Sequence, residues 1–140
     1  MQDLTDDYLA AEPELIALLD QVEGLRKVYS TADLAELKER SQITPAAHVI
    51  YWGDAVPDTA QGGNLSHVTQ TWVVVLAVNL RKKDEAGPLL ARIIQQLSGA
   101  RISLGPVQRI NPIAKPTFSG GFGYYPLAFN FKFRIKGARP

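Results

Sequence analysis

The chain has 140 residues and a mass of 15.4 kDa, which makes one domain able to bury a core without staples. It has no cysteine, which excludes disulfides and thiolate metal sites, and its longest apolar run, Trp72 to Val78, is far too short to span a membrane. The formal net charge of +1 conceals a split: residues 1–40 hold ten acids and four bases (−6), residues 41–85 four acids and three bases (−1), and residues 86–140 eight bases and no acid (+8).

Three arrangements satisfy that split. An acidic half can face a basic half inside one fold, unlike surfaces can meet between neighbouring subunits, or a basic patch can serve phosphates. The first residues are acidic, where a signal peptide needs a positive n-region. A soluble, cytosolic chain is therefore expected.

A helix is predicted from about Asp7 to Glu23, because Leu15, Leu18, Leu19 and Val22 recur at helical spacing and Gly24 is a natural stop. Pro13 either lies in its first turn or bends it. Leu25 to Tyr29 reads as a short strand. Ser30 and Thr31 offer caps for a second helix through about Arg40, with Asp33 in its first turn and Leu34 and Leu37 buried. Ala47 to Trp52 is apolar on both faces, as in a central strand. Gly53 to Ser66, punctuated by Gly53, Pro57, Gly62, Gly63 and Asn64, reads as a loop.

His67 to Leu80 is predicted as one long strand. Val68, Trp72, Val74, Leu76, Val78 and Leu80 share a face broken only by Gln70. It would reach about 45 Å, more than twice a typical strand. Such a strand projects as a β-arm or bends at a bulge, and an arm needs a partner. A helix follows from about Glu85 to Ser98, with Pro88 in its first turn, an apolar stripe of Leu89, Leu90, Ile93, Ile94 and Leu97, and Gly99 as its stop. Val107 to Ile110 is a short strand and Asn111 to Gly123 a loop.

Tyr125 to Lys136 alternates strictly. Tyr125, Leu127, Phe129, Phe131, Phe133 and Ile135 point one way; Ala128, Asn130, Lys132, Arg134 and Lys136 point the other. This is a half-buried strand with a basic, wet face. The whole order predicts an α+β fold: an antiparallel or mixed sheet of about four to five strands, with about three helices mainly on one face and a long projecting strand or hairpin.

No catalytic constellation emerges. His48 and His67 lack companions at ligand spacing, and a metal site needs three or four. Asp54 and Asp58 read as a solvated polar loop rather than a cation site. Gly120, Gly121 and Gly123 lead into a strand, whereas a phosphate loop leads into a helix. Arg81, Lys82 and Lys83, with Lys132, Arg134 and Lys136, could meet a phosphate backbone. The aromatics of the last strand lie on the opposite face from its cations, so they stack in the core and not on bases.

The segments "LRKVYSTADLAEL", "AAHVIYWGD", "HVTQTWVVVLAVNL", "GPLLARIIQQLSG" and "FSGGFGYYPLAFNFKFRI", in this order, resemble the tail terminator (tail completion) proteins of tailed bacteriophages, in particular the Mu-type terminator family. The likeness spans nearly the whole chain. It implies a structural virion protein and no enzyme or cofactor. It implies a ring, usually a hexamer, at the head-proximal end of the tail tube. That ring stops tube polymerisation and offers a surface for the head connector. The implied partners are other copies of the chain, the tail tube protein and the head–tail connector, with nonspecific contact to lumen DNA and no membrane. The implied location is the virion tail or neck, and the host cytoplasm during assembly.

The candidate contact residues come from the physics. The overhang Ser66 to Thr71, with His67, Thr69 and Thr71, and the loop Asp54 to Asn64, with Asp58, would touch a neighbouring subunit or the tube. Arg81, Lys82 and Lys83 would face an acidic neighbour or DNA. The loop Lys115 to Gly123, with Phe118, would reach the connector or tube, and Lys132 and Arg134 complete the basic face. A head–tail connector or stopper and a nucleic-acid-binding module are the rival readings. A small-ligand or catalytic domain would need a deep cleft around His48 or Asp54.

Overall fold

A computed structural model describes residues 1–34, 41–82 and 84–139, with backbone alone at Leu34 and Asp58. The elements run α1 (Ala11–Asp20), β1 (Lys27–Tyr29), α2 (Thr31–Leu34), β2 (Ala46–Ala60), β3 (Leu65–Asn79), α3 (Ala86–Leu97), β4 (Arg101–Ile102), β5 (Gly105–Pro106), β6 (Gln108–Ile110), β7 (Thr117–Ser119) and β8 (Phe122–Lys136). One six-stranded sheet has the order β1-β2-β3-β8-β6, with β7 also on β8, and β4 and β5 pair separately. β1 runs parallel to β2 and the other pairs are antiparallel. The fold is α+β with a mixed sheet, one strand wider than expected.

Helical spacing decides the two long helices. Ala11, Leu15 and Leu19 fall at i, i+4 and i+8 and are buried, as are Leu89, Ile93 and Leu97. Pro13 is the third residue of α1, where no intrahelical N–H partner is lost, so the helix starts near it instead of bending. Gly24 ends this unit at φ +100°, and a Cβ there would stand 2.9 Å from Leu89 Cδ2. Only glycine lets the turn and α3 approach so closely. The expected continuation of α2 to Arg40, with Leu37, lies outside the described residues.

The helices α1 and α3 cover one face of the sheet. Val49, Val68, Trp72, Val74, Leu76, Leu127, Phe129, Phe131 and Phe133 are buried there with the helix stripes. β3 pairs with β8 along its full length, from Leu65 opposite Lys136 to Asn79 opposite Phe122. The long hairpin is β2–β3, turned by Gln61 to Asn64. Its irregularity falls on β2, in two register shifts, between Tyr51 and Gly53 and between Ala55 and Asp58.

Two expected loops are corrected. Gly53 to Ala60 is strand, not loop. Its glycine, proline and aspartates read as loop, but the bulges absorb them and β3 supplies the ladder. Asn111 to Gly123 contains β7, which pairs with β8 through Phe118 opposite Gly123.

The second sheet face is not uniformly wet. Val73, Ala77 and Ala128 are buried there. The return leg of the β1–β2 crossover lies over this region. Gln42 Nε2 donates to Tyr124 Oη at 2.9 Å, and Gln42 Oε1 lies 3.3 Å from His48 Nε2. The Tyr29 ring stacks on His48 at 4.9 Å between centroids. Burial holds the His48 imidazole below its ordinary pKa, with Asp33 opposing weakly.

Candidate assembly interface

The far half of the β2–β3–β8 sheet is held by the N-terminal segment. Leu4 N donates to Arg134 O at 2.8 Å and Arg134 N to Gln2 O at 2.9 Å. Asp3 Oδ1 lies 2.9 Å from Arg134 Nε. The Tyr8 ring packs edge-on against Phe133 and Tyr51, and its hydroxyl donates to Asp54 Oδ2. Burial, then the neighbouring Asp54 carboxylate, push the Tyr8 phenol above its ordinary pKa.

Of the expected overhang, only one side is accessible. Val68 and Gln70 are buried under the N-terminal segment, whereas His67, Thr69 and Thr71 are half-buried on the second face. Strand register sets His67 opposite Arg134, Thr69 opposite Lys132 and Thr71 opposite Asn130. These candidates therefore form one polar surface. Lys132 is exposed. Arg134 is engaged by Asp3 and by Met1 O at 3.0 Å, so it is a weaker point of attraction than the sequence suggests. Asn64 closes the hairpin turn, and its carbonyl accepts from Gly137 N at 2.6 Å. Asp58 pairs with His67 through the β2–β3 ladder.

β1 reaches only Ala46 to His48 of β2. Among the described residues, β3 is the one strand that pairs with β2 from Ile50 to Ala60, and the opposite side of β2 has no partner strand there. Trp52 is the extra residue of the first register shift and is 50% exposed; Val56 lies within the second and is 48% exposed. Gly53, at φ +145°, makes the first bulge possible. Both shifts therefore turn a large apolar side chain outward at an open edge.

A second surface lies at the other end of the sheet. Leu80, Tyr125 and Phe118 converge on Gly123, where a Cβ would stand 3.0, 3.2 and 3.4 Å from their side-chain atoms. Leu80 N donates to Gly121 O at 3.0 Å, which ties the end of β3 to the β7–β8 turn. Phe118 is 61% exposed. Arg81 and Lys82 follow Leu80 and line a groove with Asp84 and Glu85. Lys115 is exposed just before β7, and Lys83 lies outside the described residues.

The sequence-derived candidates thus divide between two distant surfaces. Trp52 and Leu80 were missed, because each lies in a strand-like run that reads as core; Val56 fell inside the candidate loop Asp54 to Asn64 but was not singled out. The one available signal was Trp52 directly before Gly53, where alternation breaks.

Among the described residues, no group of three or more histidines and carboxylates is arranged to hold a metal, and no helix is long and apolar enough to cross a membrane. What the arrangement offers is surface: an apolar edge beside acids and an apolar tip beside bases. No curated protein matches the chain. The family model described as phage tail terminator protein matches residues 4–140. This chain belongs to the phage tail terminator family, the structural proteins that complete bacteriophage tails.

Proposed function

We propose that copies of this chain close into a ring, a hexamer, at the head-proximal end of the tail tube. The ring ends tube polymerisation and presents the surface to which the head connector docks. The match over residues 4–140 carries this reading. Two features support it. The surfaces at the two ends of the sheet differ in charge and shape, as a heterologous contact that closes by rotation requires. The charge split from −6 in residues 1–40 to +8 in residues 86–140 gives unlike patches to bring together.

The test is negative-stain electron microscopy of particles from the phage or prophage lacking this gene. Overlong, headless tails of uncontrolled length are expected. Tails of normal length that fail to join heads would move the chain to a connector or stopper role. Normal infectious virions would overturn both and return the basic residues to a nucleic-acid role.

A further inference from the structure

The two exposed apolar clusters have complementary surroundings. Trp52 and Val56 stand at the open edge of β2, beside Asp54. The Tyr8 hydroxyl binds Asp54, and Asp6 and Asp7 precede Tyr8 and are exposed. Phe118 and Leu80 stand at the β7–β8 tip, where Arg81 and Lys82 follow Leu80 and exposed Lys115 lies two residues before β7. Two acids, exposed Asp84 and half-buried Glu85, share the groove of Arg81 and Lys82, so with Lys115 the described residues of that end carry three cations to two acids.

Edge strands in monomers are blunted by bulges, charges and proline. β2 carries all three, yet its bulges expose a tryptophan and a valine. Tryptophan is enriched among residues that dominate interface energies, and Trp52 leaves half of its surface in water on a bulge, which gains nothing for the isolated fold. The same holds for Phe118, packed edge-on against Tyr125 at 6.1 Å but open on its outer side.

We propose that the β7–β8 tip of one copy, led by Phe118, seats on the open β2 edge of the next copy at Trp52 and Val56. The acids around Asp54 then face Arg81, Lys82 and Lys115 of the neighbour. This contact rests on the ring reading and names the surfaces that form it. It is heterologous: the two clusters lie toward different ends of the sheet and on opposite sides of β3. Each copy therefore offers one of each, and a tip cannot satisfy the edge of its own copy.

The chain has no cysteine, so engineered thiols report without background. Ala55 and Thr117 are exposed beside the two clusters. The gene-deleted phage is complemented with two singly substituted chains together, Ala55→Cys and Thr117→Cys, one carrying a tag that changes its mass. Tails are purified, oxidised and run on a non-reducing gel. The expected product is a disulfide-linked dimer holding one chain of each kind, lost on reduction. Tails that carry a ring of this chain but give no mixed dimer, or only dimers of Ala55→Cys with itself, overturn the contact and leave the ring standing. Tails that carry no ring overturn the ring reading, and the contact with it.

Discussion

Trp72 Nε1 donates to Gln70 Oε1 at 2.8 Å, with both side chains fully buried on the same face of β3. Gln70 Nε2 in turn donates to Tyr8 O at 2.9 Å. The one polar residue in the apolar stripe thus satisfies the indole and ties the N-terminal segment to the core. Replacing Gln70 by Leu would keep the volume but strand a buried N–H and a carbonyl. The expected loss is about 2 kcal/mol, read as a lower midpoint in chemical denaturation. An unchanged midpoint would show that the pair is dispensable.

His48 makes stability depend on acid. Its folded pKa is depressed by burial below the ordinary 6.5, so it stays neutral in the fold while the unfolded chain takes up a proton. The contribution is fully present above pH 6.5 and is lost as pH falls through the depressed value. The thermal stability of the wild type is expected to fall as pH drops below 6.5, and less so for His48→Gln. Parallel pH profiles for the two chains would contradict this.

Reversing charge at Arg81 and Lys82, as Arg81→Glu with Lys82→Glu, is expected to weaken ring assembly or tail docking while the monomer stays folded. Both side chains are exposed, so stability should change by no more than about 0.5 kcal/mol. Thermal melts of the purified chain and infectivity in complementation separate the two effects. Normal assembly would remove these residues from the interface.

Phe118 and Gly123 give a matched pair of variants. Phe118→Ala removes a side chain that is 61% exposed, so a fold-neutral change with loss of tail completion is expected. Gly123→Ala sets a Cβ 3.0 Å from Leu80 and 3.4 Å from Phe118. That overpacking is expected to cost about 1 kcal/mol and to displace the tip, giving the same assembly defect. Full infectivity of both variants would show that the tip makes no essential contact.

Periodicity made the buried half of the fold readable. The alternation from Tyr125 to Lys136 and the stripe from Val68 to Val78 named one face of the central strands, and Leu15, Leu19, Leu89, Ile93 and Leu97 named the helices against it. Gly53 to Ala60 was illegible because strand pairing there is imposed by β3 across two bulges, and local composition carries no record of a partner strand. β7 escaped for the same reason, being three residues inside a proline- and glycine-rich stretch. Exposure of Trp52 and Val56 follows from register, a property of the paired strands and not of either run alone. Phe118 could be named because its surroundings contain no other long apolar run.

The most direct measurement is a cryo-electron microscopy reconstruction of tails purified from the phage that encodes this chain. The account predicts one closed, rotationally symmetric layer of the chain at the head-proximal end of the tube, and none elsewhere. Copies distributed along the tube, or confined to the end that meets the host, would contradict it.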